Sequence, residues 1–219
     1  MTEQDKAVEQ AAGLDTATLS DALDKLGIAG VCLGIKPLDP KFRLVGRAFT
    51  LRYVGAEQPA GTVGDYIDDV PEGDVVVIDN GGRPDATVWG DILTEVAFHK
   101  DLGGTLIDGA CRDVALSIKL GYPIYSRSYS MRTGKDRVQL QAVNEVVTIG
   151  EARVAPGDLL RGDADGVLVI PRAHEQAVLE TAQAIHDAEE NIRAECRKGT
   201  PLRAAREKFR YHQLQSRSR

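Results

Sequence analysis

Hydrophobic positions along the chain change period several times, and each change predicts an element. Leu19, Ala22, Leu23 and Leu26 recur at helical spacing, Asp15 or Thr16 can cap the start and Gly27 can end it, which predicts a helix over 15–27. From 49 to 54, Phe49, Leu51 and Tyr53 alternate with Thr50, Arg52 and Val54, as in a half-buried strand. Residues 62–69 predict a short helix that Pro71 ends. The run Asp74-Val75-Val76-Val77-Ile78-Asp79, bounded by Gly73 and the Asn80-Gly81-Gly82 loop, reads as a buried strand. A helix over 89–102 follows, with Ile92, Leu93, Val96 and Ala97 on one face, then a strand at 105–107, a helix over 114–120 and a strand at 123–126. This alternation predicts parallel βαβαβ connections.

Beyond residue 144 the rhythm shortens. Residues 144–170 hold three short strand candidates separated by Gly150, Pro156-Gly157-Asp158 and Gly162-Asp163-Ala164-Asp165-Gly166, which suits an antiparallel element packed on the first sheet. From about 173 to 197 runs a long helix striped by Val178, Ala182, Ile185, Ala188 and Ile192, and a helix so placed often docks on another subunit. The expected fold class is therefore α/β, as a single domain over residues 1–200 that includes its terminal helices. A basic tail follows over 201–219.

Composition narrows the function classes. The chain has 219 residues, 42% hydrophobic and 27% charged, ordinary for a globular protein, with aromatics at 5%, so the core must be mostly aliphatic. The start, Met1-Thr2-Glu3-Gln4-Asp5-Lys6, lacks the basic and apolar pattern of a signal peptide. No apolar run approaches the ~20 residues of a membrane span. Cys32, Cys111 and Cys196 are odd in number and far apart, which suits reduced thiols in a cytoplasm. Six basic residues against Glu207 give the tail +5 and leave -11 on the rest of a chain whose net charge is -6. An acidic body argues against nucleic acid as the main partner.

Candidate chemistry concentrates in two loops. The first, Asn80 to Asp91, ends in Trp89-Gly90-Asp91-Ile92-Leu93, where a glycine lets a ligand approach and free N–H groups open a helix. The plainer reading makes Asp91 a capping residue. The second loop ends in Cys111-Arg112-Asp113. Arginine grips carboxylates bidentately, and a lone Asp with waters and substrate oxygens often holds Mg²⁺. Its plainer reading is an adjacent ion pair with Asp113 capping a helix. Two such loops at the same end of neighbouring parallel strands would face one crevice, where open α/β sheets bind ligands. Cys111 lacks a nearby histidine in sequence and reads better as a small buried residue than as a nucleophile. His99, His174, His186 and His212 have no zinc-site spacing, and no GxGxxG, GxxxxGK[ST] or GxSxG motif is present. Arg132 and Lys135 are candidates to grip a distal anion, although residues of a polar loop are more often merely solvated; Glu189 and Glu190 read as a solvated face unless a neighbouring subunit brings them to a site.

Together, Gly90-Asp91-x-Leu93, the spacing Asp-x20-Arg-Asp, Ile107-Asp108-Gly109-Ala110-Cys111-Arg112-Asp113, Val154-Ala155-Pro156-Gly157-Asp158 and Asp163-Ala164-Asp165-Gly166-Val167 resemble one family over roughly residues 15 to 200. It is the RraA-like family, which contains 4-hydroxy-4-methyl-2-oxoglutarate aldolases, related oxaloacetate decarboxylases and a non-catalytic ribonuclease regulator. The resemblance implies a swivelling β/β/α layered fold, assembled as trimers or pairs of trimers with sites at subunit interfaces. It implies that main-chain amides of Gly90, Asp91, Ile92 and Leu93 hold a pyruvate-like carboxylate, that Arg112 contacts the substrate, and that Asp113 binds Mg²⁺ or Mn²⁺. Asp91 is then the candidate for orienting a water in proton transfer. The implied activity is metal-dependent C–C cleavage of a small 2-oxo acid, by retro-aldol reaction or decarboxylation through a pyruvate enolate. The regulator branch lacks the Arg-Asp pair, so the pair favours an enzyme over an oligomeric binding protein.

Overall fold

Four parallel strands form the centre of the molecule, and the middle two are buried on both faces along almost their whole length. The structure, a computed structural model, describes residues 5–57, 61 and 64–211. Its strands are β1 Lys36–Pro37, β2 Leu44–Gly55, β3 Val75–Asp79, β4 Gly104–Cys111, β5 Ile124–Tyr129, β6 Val138–Val143, β7 Val147–Ile149, β8 Ala152–Val154, β9 Leu159–Asp163 and β10 Gly166–Ile170. Its helices are α1 Lys6–Ala12, α2 Thr16–Leu26, α3 Asp91–His99, α4 Val114–Leu120, α5 Glu175–Arg197 and α6 Leu202–Lys208.

The main sheet runs β1-β5-β4-β3-β2-β9-β10, with β2, β3, β4 and β5 parallel to one another. Strand β2 is long enough to take two antiparallel partners on one edge. Leu44 to Arg47 pair with β9, and Leu51 to Gly55 pair with β6 across a register shift at Arg52/Tyr53. That shift bends the strand, and the sheet curls towards closure. The β7–β8 hairpin is a separate two-stranded element.

Alternation along each central strand feeds two different cores. Val76, Ile78 and Ile107 pack with Trp89, Ala97 and Tyr122 beneath α3 and α4. Val75, Val77 and Leu106 face the opposite way and meet Val147, Ile149 and Val154 of the hairpin, with Leu160 and Val169. A third cluster buries Leu159, Leu168 and Ile170 against Leu19 and Leu23 of α2 and Val178, Ala182 and Ile185 of α5. The result is the layered α/β architecture that the sequence implies. Asp163 ties the third layer to the sheet by accepting hydrogen bonds from Thr16 N at 2.8 Å, Thr16 Oγ1 at 2.7 Å and Asp165 N at 3.0 Å. Burial alone would raise its pKa, but these donors and Arg161 outweigh it and hold the carboxyl below its usual value.

Several expectations change in detail. The helix expected over 89–102 is confined to Asp91–His99, because residues 87–89 run extended beside β4. Ile92 does not join the buried face and is 74% exposed, while Thr94 and Ala97 are buried. Residues 65–69 form a 3-10 turn, and 62 and 63 lie outside the described residues. Residues 144–170 hold four strands, not three, one on each side of the three expected turns, and Gly162 and Asp163 end β9 so that only Ala164-Asp165 turn. Helix α1 and strand β6 come in addition: the first is too short for periodicity, and the second alternates Val138, Leu140 and Ala142 with Gln139 and Gln141. Part of the basic tail is helix α6, which packs on α5 and places Lys208 3.2 Å from Glu195. Within the chain the long helix α5 packs on α2, α6 and α1. Among the described residues no helix is long and apolar enough to cross a membrane.

Candidate functional site

The two glycine-bearing loops do meet. Strands β3 and β4 are adjacent and parallel, so the loop after Asp79 and the turn after Cys111 leave from the same edge. Val88 N donates to Ala110 O at 3.2 Å and Arg112 N to Trp89 O at 3.0 Å, which lays the first loop along the extension of β4. A third wall comes from the segment after β5. Thr87 donates to Arg132 O through both its amide, at 3.2 Å, and its hydroxyl, at 2.9 Å. Gly134 lies so close that an added Cβ would stand 2.2 Å from Thr87 O. Between these walls lies a crevice of about 320 Å³, whose lining includes Gly90 to Leu93, Arg112 and Lys135.

Helix α3 points its N-terminus into this crevice. Gly90 is the capping residue, with no side chain to satisfy the first amides, and Asp91 is the first helical residue. Asp91 is therefore not the N-cap that the plainer reading assumed. Its amide donates to Asp113 Oδ2 at 3.1 Å, and its own carboxylate takes the Ile92 amide at 2.9 Å. Among the described residues the Leu93 amide has no partner. A donor left open at the positive end of a helix is a ready anion site.

Arg112 and Asp113 sit against this turn. Arg112 Nε lies 3.3 Å from Asp113 Oδ2, with the two side chains 40% and 38% exposed. The guanidinium's terminal nitrogens have no partner among the described residues. Asp113 precedes α4 but makes no side-chain cap bond to it. Its carboxylate crosses instead to α3, and its backbone holds the left-handed conformation at φ 57 and ψ 36. A non-glycine residue in that region costs of order 1 kcal/mol, and such strain gathers at functional sites. Gly90 is required by space rather than by φ, since a Cβ there would stand 2.9 Å from Asp113 Oδ2 and 3.1 Å from Arg112 Nε.

Known proteins resemble this chain over most of its length. The family profile RraA-like: Aldolase/RraA matches residues 16–169. The chain belongs to the RraA-like family. Protein DlpA of Legionella pneumophila subsp. pneumophila is 39% identical over 210 residues, covering 94% of this chain; the chain spans only 34% of that relative's length. A Halalkalibacterium halodurans protein, provisionally named a 4-hydroxy-4-methyl-2-oxoglutarate aldolase, is 34% identical over 170 residues, covering 78% of this chain and 79% of its own. The crystal structure of an uncharacterized protein from Pseudomonas syringae pv. tomato superposes with a TM-score of 0.86 at 39% identity, covering 94% of this chain and 99% of that one.

In this RraA-like chain the other candidates separate cleanly. Lys135 lines the crevice, and its ammonium has no partner among the described residues. Arg132 does not line it and pairs with Asp85 at 3.7 Å. Cys111 is fully buried at the end of β4 with Ser126 Oγ 3.6 Å away, and burial pushes its thiol pKa up, which is the opposite of an activated nucleophile. Glu189 and Glu190 pair with Arg193 on α5 at 2.8 and 2.7 Å and take no part in the crevice of their own chain. Asp65 and Thr133 also line the crevice, and neither carried a signal in the sequence because tertiary folding alone brings them there.

The donor set bears on the implied metal. Among the described residues no three His, Cys, Asp or Glu side chains are grouped to hold an ion. Asp113 Oδ1 has no hydrogen-bond partner among those residues, while Oδ2 takes the Asp91 amide of the turn that lines the crevice. One carboxylate beside an open crevice fits a hard cation that keeps most of its water, as Mg²⁺ does, and does not fit a closed zinc cage.

Proposed function

We propose that this chain is a divalent-metal-dependent carbon–carbon lyase for small 2-oxo acids. It would cleave 4-hydroxy-4-methyl-2-oxoglutarate-type substrates by retro-aldol reaction and decarboxylate oxaloacetate. The observation that carries the reading is an open helix amide and a guanidinium with free tips lining one crevice, with the carboxylate of Asp113 held against both the α3 turn and Arg112. The name of the Halalkalibacterium relative supports the same reaction class.

The residues divide the work. The open first-turn amide of α3, at Leu93, holds the substrate carboxylate with the helix dipole behind it, and the Ile92 amide joins it when Asp91 Oδ1 gives way. Arg112 reaches the C2 oxygen and stabilises the negative charge that develops there as the C3–C4 bond breaks. A donor of this kind contributes roughly 10²–10³ in rate. Asp91 orients a water that takes the C4 hydroxyl proton in the retro-aldol step and returns a proton to C3 of the enolate, giving pyruvate. In oxaloacetate CO₂ leaves and no hydroxyl proton is involved. Lys135, on the far wall, faces the distal carboxylate. Asp113 would hold Mg²⁺ or Mn²⁺, with water and substrate oxygens completing the shell. When bound, that cation withdraws charge from the 2-oxo group.

The working form in this reading is a trimer or a pair of trimers in the cytoplasm. Ile92 at 74%, Tyr129 at 70% and Met131 at 89% exposure stand on or beside the segments that wall the crevice and supply an apolar rim for a second copy. The test is coupled pyruvate release from 4-hydroxy-4-methyl-2-oxoglutarate, 4-carboxy-4-hydroxy-2-oxoadipate and oxaloacetate, with Mg²⁺ and with EDTA, beside Asp113→Ala. Release that needs the metal and is lost in the variant supports the lyase. A folded oligomer that releases pyruvate from none of them belongs with the non-catalytic regulators, the other half of the family profile's description.

A further inference from the structure

Thr94 lies in the first turn of α3, is fully buried and takes no part in lining the crevice. Its hydroxyl nevertheless bridges two groups that do. Trp89 Nε1 is 2.9 Å from Thr94 Oγ1, and Thr94 Oγ1 is 2.9 Å from Gly90 O. An indole N–H can only donate, so the threonine oxygen accepts there and its single proton is committed to Gly90 O. The Thr94 amide donates to the same carbonyl at 3.0 Å.

We propose that Thr94, with Trp89 behind it, is a positioning residue for the carboxylate-binding turn. The inference rests on the lyase reading of this crevice. A trans peptide is planar, so pinning Gly90 O from one side fixes the Asp91 N–H in the opposite direction, where Asp113 Oδ2 lies 3.1 Å away. Glycine is the residue least able to fix that plane by itself. The restraint is anchored in the sheet. Trp89 stacks nearly parallel on Tyr122, with ring centroids 6.2 Å apart and planes 4° apart, and the Tyr122 hydroxyl is 2.9 Å from Thr105 Oγ1 on β4. A continuous chain of contacts thus runs from the strand that delivers Arg112 and Asp113 to the peptide plane that opens the anion site on α3. It sets the two halves of the site in one frame.

The proposal separates Thr94→Val, which keeps the shape and removes the hydroxyl, from Thr94→Ser, which keeps the hydroxyl. Pyruvate binding would be measured by calorimetry with Mg²⁺ present, and steady-state kinetics with oxaloacetate. Loss of one hydrogen bond's worth of alignment predicts about tenfold weaker pyruvate binding and a KM raised by a similar factor in T94V. Because the turn holds the carboxylate in ground and transition state alike, kcat should stay within about threefold. T94S should bind within about twofold of the parent. Should T94V fail to fold, Trp89→Phe, which keeps an aromatic ring on Tyr122 while removing the indole donor with part of the ring volume, is expected to weaken binding about threefold. A T94V protein, or failing that W89F, with unchanged pyruvate affinity overturns the positioning role. So does a T94S protein as impaired as T94V. A parent protein that neither binds pyruvate nor turns over oxaloacetate overturns the lyase reading itself, and the positioning role with it.

Discussion

Replacing Gly90 by alanine should disable the site while leaving the fold nearly intact. The backbone there is extended, at φ -151 and ψ -165, so alanine meets no conformational penalty. The added Cβ would stand 2.9 Å from Asp113 Oδ2, whereas ordinary contact begins at 3.4 Å, so the carboxylate must retreat by about 0.5 Å. Directed away from the turn, that movement stretches the 3.1 Å bond from the Asp91 amide to roughly 3.6 Å, past useful hydrogen-bond distance. Arg112 Nε, at 3.1 Å from the same Cβ, is pushed as well. Both obstacles are ends of partly exposed side chains, so the stability cost should stay near 1 kcal/mol, a melting shift of roughly 2–4 °C. Misplacing the reacting groups by half an ångström or more should lower kcat/KM about 10- to 100-fold. Gly103 supplies the contrast: its added Cβ would meet backbone oxygens, Val45 O at 2.4 Å and Gly73 O at 2.6 Å, so Gly103→Ala should damage the fold first. The assay is metal-dependent pyruvate release from oxaloacetate beside thermal unfolding of both variants. Full activity in G90A, or a melting temperature that falls as far as in G103A, would refute the reasoning.

Three further outcomes are expected. Asp113→Ala should lose all metal-dependent pyruvate release, and Arg112→Ala should lose roughly 10²–10³ in kcat; wild-type rates in either would sink the assigned roles. Burial raises the Asp74 carboxyl from 3.8 to about 6, so the folded state binds its proton more tightly and stability falls as pH rises from about 4 to 6. Asp74→Asn should therefore add about 1 kcal/mol at pH 7.5, after discounting for partial exposure, and nothing near pH 4; an equal gain at both, by thermal melting, contradicts it. Asp108 is buried and accepts from Arg127 Nε and from Gly150 N, each at 2.6 Å. Asp108→Ala should cost roughly 2–3 kcal/mol by orphaning both donors, and denaturant melts that match the parent would show the pair to be dispensable.

Much of the candidate site was legible because it is local. Gly90-Asp91 at a helix start and Arg112-Asp113 after a strand are short-range patterns, and a βαβ rhythm places both at one sheet edge. What the pattern missed was exposure and partnership. Ile92 fits the apolar stripe by spacing yet stands on the rim, because the buried face of α3 centres on Thr94 and Ala97 and the first turn carrying Ile92 lines the crevice. Asp113 looked like a cap for its own helix, but its left-handed backbone turns the carboxylate across to α3. Strand β6 was missed although it carries a local signal, Val138, Leu140 and Ala142 alternating with Gln139 and Gln141; the end of β2 offers it an edge.

By itself, then, the sequence determined the elements whose reasons are local. Two-face burial makes β3 a run of valines, capping residues mark the ends of α2, and glycines mark where the backbone must turn or be approached. Tertiary structure decided what depends on residues distant in the chain. It set Lys135 and Asp65 against the α3 N-terminus, gave β2 two partners on one edge, and ran the contact chain from Thr105 through Tyr122, Trp89 and Thr94 to Gly90. Periodicity reports which face of an element avoids water; it carries no record of which distant group will meet that face, since the pairing is chosen by packing the whole chain at once.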